Sequence, residues 1–110
     1  MSVVETASTM IFQLTKNDSV EIPAGYYIHG IIFLPDPVET ISSLKVGMSA
    51  LDALVVTAFD LNDGTEYVCK TPSDGYRCWA SATDIHFTAT TWPSGSEITV
   101  TVLMQKLNGV

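Results

Sequence analysis

Two histidines, two cysteines and one run of oxygen-bearing side chains are the residues whose types can do chemistry in this 110-residue chain. An imidazole acts as a general acid or base only beside an oriented carboxylate or nucleophile. Around His29 and His86 the chain offers Asp, Ser and Thr freely, and no spacing selects one of them. No catalytic residue is assigned. Cys69 and Cys78 flank "KTPSDGYR". A hairpin centred near Ser73 and Asp74 would set them nearly opposite each other, which permits a cross-strand disulfide. Two buried free thiols are the other reading, and both stay open. Neither a zinc-like spacing with His or further Cys nor the tight spacing of a thioredoxin motif is present.

Asp60, Asn62 and Asp63 ahead of Gly64 supply oxygen ligands and a flexible glycine, as part of a calcium loop does. The segment "DLNDGTEYVCKT" lacks the spacing to a terminal bidentate glutamate. A hairpin turn accounts for the same residues, so no metal and no cofactor are expected. Aromatic side chains can stack on sugars, and Tyr26, Tyr76, Trp79 and Trp92 are the candidates for a glycan contact. Trp92, ahead of a Pro-Ser-Gly turn, sits where a loop tip is expected; such a residue also serves as a packing plug or an oligomer contact.

The chain carries twelve acidic and five basic residues, a formal net charge of −7. Phosphate backbones and anionic membrane surfaces both require a positive surface, which five scattered cations do not make. Nucleic acid and membrane are therefore excluded as expected partners. The apolar stretch "YYIHGIIFL" is far too short to span a bilayer as a helix and contains His29 and Gly30. The first residues show no charged leader followed by an apolar segment and a cleavage site, so no secretory signal is read there.

The elements that must position these residues are strands. β-Branched and aromatic residues are abundant, and long Ala/Leu/Glu/Lys runs are missing. Residues 1–7 read as a short N-terminal arm, and 8–110 as one domain. Met10, Phe12 and Leu14 alternate in a first strand over 8–14. "KNDS" turns into a short strand carrying Val20 and Ile22, and "PAGYY" bends into the next. There Tyr27, His29, Ile31 and Phe33 are expected on one face, and Ile28, Gly30, Ile32 and Leu34 on the other. Both sets are apolar, which implies a strand covered on both sides. Prolines in "LPDP" stop it.

Further strands are expected over 41–46, over 53–59 after a loop or single turn, and on either side of "TPSDGY". Two more follow over 84–91 and from 97 to near 107. In the last, Ile98, Val100, Val102 and Met104 alternate with polar residues. About eight short strands with turn chemistry between them indicate an all-β, antiparallel β-sandwich or a closed barrel. The long connections after Leu34 and Val46 favour a sandwich whose strands cross between sheets.

Three stretches, "EIPAGYYIHGIIF" at 21–33, "LKVGMS" at 44–49 and "WPSGSEITVTVLMQKL" at 92–107, follow one another in an order that resembles small β domains of tailed-phage structural proteins. These are the head fibres, capsid decorations and related virion appendages. The resemblance implies a jelly-roll-like sandwich and a non-enzymatic virion protein. It further implies a homotrimer that meets other virion proteins after assembly in the host cytoplasm. Trimerisation also has an independent logic, because a small β domain must cover its edges and apolar faces. Tyr27, His29, Ile31 and Phe33 are the expected interface, with Val100 and Val102 in the subunit core. The competing expectation is a small carbohydrate-binding module acting through Tyr76, Trp79 and Trp92 on a cell-surface glycan.

Overall fold

The structure, a computed structural model, describes residues 2–36, 39–53, 55–62, 67–73 and 77–107, without the side chains of 35, 36 and 77. Ten strands are found among them: β1 (Val3–Glu5), β2 (Thr9–Leu14), β3 (Asp18–Ile22), β4 (Tyr26–Asp36), β5 (Ile41–Gly47), β6 (Val56–Leu61), β7 (Val68–Lys70), β8 (Arg77–Cys78), β9 (Thr83–Thr88) and β10 (Glu97–Lys106). Sheet A has six strands in the order β1-β2-β10-β4-β7, with β8 also on β4; sheet B has four, β3-β9-β5-β6. Every pairing is antiparallel. The fold is an all-β sandwich of two packed sheets.

The pairings are nested. β2 pairs with β10, β3 with β9, β4 with β7 and β8, and β5 with β6. The chain thus behaves as one long hairpin closed at the β5–β6 turn and rolled so that successive pairs fall in alternate sheets. Of the two long connections, the one after β4 crosses between sheets as expected, whereas the one after β5 stays within sheet B.

Period-two alternation builds the core. Met10, Phe12 and Leu14 on β2 and Ile98, Val100, Val102 and Met104 on β10 are all buried. Ile85 and Phe87 on β9 and Leu44 and Val46 on β5 meet them from sheet B. All four phenylalanines of the chain link the layers edge to face: Phe12 with Phe87 at 5.3 Å, Phe87 with Phe33 at 6.4 Å, and Phe33 with Phe59 at 5.2 Å between ring centroids. Such pairs add about 0.5–1.5 kcal/mol each beyond the area they bury. Lys70 closes that side, its Nζ 4.5 Å from the Phe59 ring centroid.

Strand β4 does not hold one alternation from end to end. Along β10, Leu103 lies opposite Gly30 but Met104 lies opposite Ile28, so His29 is an extra residue in a β-bulge. The side-chain phase flips there. Ile28, Ile31 and Phe33 all reach the core at 0% exposure, while Tyr27, Ile32 and Leu34 are half-buried on the outside. The expected common face of Tyr27, His29, Ile31 and Phe33 is therefore not formed.

Three other expectations change. Val3–Glu5 pairs with β2 as an edge strand, Val4 beside Ile11, where a free arm was expected. β7 and β8 do not form a hairpin; both run along the same edge of β4, with residues 71–76 between them. Pro72 is buried, and the Ser73 N–H donates to the Val55 carbonyl at 2.8 Å, which ties this excursion to the start of sheet B's edge strand. Finally, β6 begins at Val56, because Val55 first bonds back to the Val46 carbonyl at 2.9 Å. Gly47 is required just before that turn. A Cβ there would lie 1.8 Å from Asp52 Oδ1 and 2.3 Å from its carbonyl oxygen.

Candidate functional site

The residues that promised chemistry are dispersed by the fold. His29 lies on the outside of sheet A, its ring 6.0 Å from that of Tyr27. His86 lies on the outside of sheet B, between Ser19 and Gly47 on the neighbouring strands. The two imidazoles thus face away from each other across the whole sandwich. Cys69 sits beside Ile32 and Cys78 beside Tyr27, five positions apart along β4. That separation is on the order of 15 Å at strand rise, against the roughly 7 Å that a disulfide can span. Both thiols are free and exposed. The disulfide that a hairpin would have permitted is not formed, and the thiols of the other reading are free but not buried.

The would-be calcium loop is structural where it is described. Asp60 Oδ1 accepts the Ser43 N–H at 3.0 Å, and Asn62 Oδ1 accepts the Thr40 hydroxyl at 2.9 Å. The Asp60 bond holds a β5 bulge in which Ser43 adopts a φ of 52°. Asp63 and Gly64 lie outside the described residues. Among the described residues, no group of three or more His, Cys, Asp or Glu side chains is placed to hold a metal ion.

The tryptophans stand at opposite ends of the sandwich. Thr91 bridges to Ser42 at the start of β5, and Trp92 follows it; its Nε1–H donates to Asn17 Oδ1 in the β2–β3 turn. Asn17 also takes the Ala89 N–H at 2.8 Å and donates to the Ala89 carbonyl at 3.4 Å. Trp79 follows β8, its Nε1–H 3.4 Å from Met48 Sδ just past the end of β5. Each is half-buried against the core, as is Tyr26. Trp79 and Trp92 do not converge on a common platform, and Tyr76 lies outside the described residues.

What the fold does assemble is a face. On the outside of sheet A, hydrogen-bonded registers align side chains in rows across the strands. One row runs Val4, Ile11, Thr101, Ile32 and Cys69 over five strands. Above it lie Gln13, Thr99 and Leu34; below it come Thr9, Leu103 and Gly30, then Gln105, Tyr27 and Cys78. Tyr27 OH bonds Gln105 Oε1 at 2.9 Å, and Leu103 Cδ1 would lie 3.3 Å from a Cβ built on Gly30, so Leu103 leans over the glycine. None of these rows contains Asp, Glu, Lys or Arg, whereas soluble surfaces carry about one such residue in every three or four. A groove of about 400 Å³ indents the face on the β1–β2–β10 side, bordered by Val4, Ile11, Gln13 and Thr99, with Glu97 at its end.

The outside of sheet B is the opposite in character. Glu21 lies beside Asp84, Lys45 beside Thr88, and Asp60 projects at the β6 edge. The central outward positions of β2 and β10 are Thr, Ile, Gln and Leu, ordinary residues one by one, with the outward Glu97 at the margin. The longest apolar stretch, in β4, is divided between the two sides of the sheet by its bulge.

No described helix is long and apolar enough to cross a membrane. No family model, no curated protein and no solved structure matches the chain.

Proposed function

We propose that this chain is a non-enzymatic structural protein of a tailed-phage virion, a head-fibre, capsid-decoration or tail-associated domain that acts by homotrimeric assembly. On this reading its sandwich is a jelly roll. The observation that carries the proposal is the nested pairing of β2 with β10, β3 with β9, β4 with β7 and β8, and β5 with β6, split between two four-strand orders. Such nesting is what the double Greek key of a jelly roll calls for, an architecture common in viral capsid and lectin domains, and it supports this reading. β1 is then an addition at the sheet A edge, and β7 with β8 is one strand interrupted by residues 71–76.

The capsid branch is favoured over the lectin branch by the tryptophans, each pinned to its own end of the sandwich. Function on this reading is shape: a compact, acidic domain presented in several symmetry-related copies to other virion proteins.

The test is proteomic. Particles purified from cells that produce the virus encoding this chain should contain it in amounts comparable to other structural proteins, and it should stay with them through a density gradient. Recovery only in the soluble cell fraction, with none on particles, would overturn the virion role.

A further inference from the structure

We propose that the outer face of sheet A is the surface through which copies of this chain assemble, turned inward around the three-fold axis. The proposal rests on the assembly reading above and adds the surface that performs it.

Charge makes the selection. Each copy carries a formal charge of −7, so two copies approaching through most orientations bring carboxylates together. Through sheet B they would oppose Glu21, Asp84 and Asp60 with the same groups. Through the central sheet A rows they bring together Val4, Ile11, Thr101, Ile32 and Leu34, which carry no formal charge, and leave Glu97 at the margin of the groove. The core of an interface is normally depleted of charge in this manner.

Extent also fits. The central row covers five strands and the other three rows cover three strands each, over the β10 positions 99 to 105. At strand spacing and rise these positions cover about 400–600 Å² once side-chain relief is included. Two such faces in full contact approach the roughly 1,000 Å² at which specific interfaces begin; around a three-fold axis a total of about 1,200–1,800 Å² is shared among three pairwise contacts. A closed ring needs two different patches on each copy. The face supplies a groove beside Val4 and Ile11, and partly exposed Ile32, Leu34 and Tyr27 on the β4 side. The exposed Cys69 and Cys78 mark that second side and serve as reporters.

The test compares native mass by light scattering for the full chain, Ile11→Glu, Thr101→Glu and a control on the other sheet, Thr57→Glu. Ile11 is 38% exposed and Thr57 is exposed, so neither change disturbs the core. Far-UV circular dichroism checks that each variant folds, and Thr101→Glu decides should Ile11→Glu fail that check. The expected result is a trimer for the full chain and for Thr57→Glu, and folded monomers for the two sheet A variants. The thiols should react about tenfold or more slowly with a small thiol reagent in the trimer than in the monomers. Sheet A variants that remain trimeric with freely reactive thiols would refute the surface while leaving assembly intact. A monomeric full chain would refute assembly itself, and the surface with it.

Discussion

Sheets A and B turn equally apolar faces toward each other and unlike faces outward. Inside, Phe12, Val100 and Phe33 of one meet Phe87, Leu44 and Val46 of the other, all at 2% exposure or less. Outside, sheet B carries Glu21, Asp84, Lys45 and Asp60, while the central rows of sheet A carry Ile, Leu, Val, Thr, Gln, Tyr and Cys. The inner likeness is what any sandwich requires. The outer difference is not required by folding, because a charged residue at position 11 or 101 would leave the core untouched. Burial against another copy, as proposed above, would account for it.

The largest difference is expected between the two sides of β4. Phe33→Ala should cost about 3–5 kcal/mol in urea unfolding, since its ring joins Phe59 and Phe87 across the layers. Ile32→Ala, the next residue but outside the core, should cost about 1 kcal/mol or less when both variants are held monomeric. Equal losses would contradict the phase set by the bulge. Gly47→Ala tests the sheet B side, where the new methyl meets Asp52 backbone as well as its side chain; a loss of about 1–3 kcal/mol is expected. Asn17→Ala should cost about 1–2 kcal/mol by leaving the Ala89 N–H and the Trp92 indole without their acceptor. The smallest effect belongs to the thiols. Adding reductant should leave the melting temperature unchanged, and a drop of several degrees would show a disulfide that the geometry excludes.

Much of the fold was legible wherever one alternation runs unbroken. The buried faces of β2 and β10 follow directly from Met10, Phe12 and Leu14 and from Ile98 to Met104, and the turn residues locate most strand ends. The failures share a cause: they depend on which strand lies alongside. The His29 bulge exists only relative to β10, so "YYIHGIIF" by itself gives no sign that the phase changes. The turn chemistry of "TPSDG" does not reveal whether the strands on either side of it pair with each other or both with β4. The cysteines were accordingly expected face to face, although β4 holds them apart. Residues 1–7 lack strong alternation, and Val3 to Glu5 become a strand because β2 offers an open edge.

The candidate site was less legible than the fold. A list of reactive residues draws attention to His29, His86, Asp60 and the tryptophans, which the structure scatters over two faces and two ends. The uncharged face needs no reactive residue and becomes visible only after four or five strands are placed side by side. Its outward residues are individually ordinary.

Assembly is decided by the solution mass of the unmodified chain, measured by light scattering over a range of concentrations. Assembly predicts a mass near three times the 11.9 kDa of one chain. A constant mass of one chain across that range would contradict it.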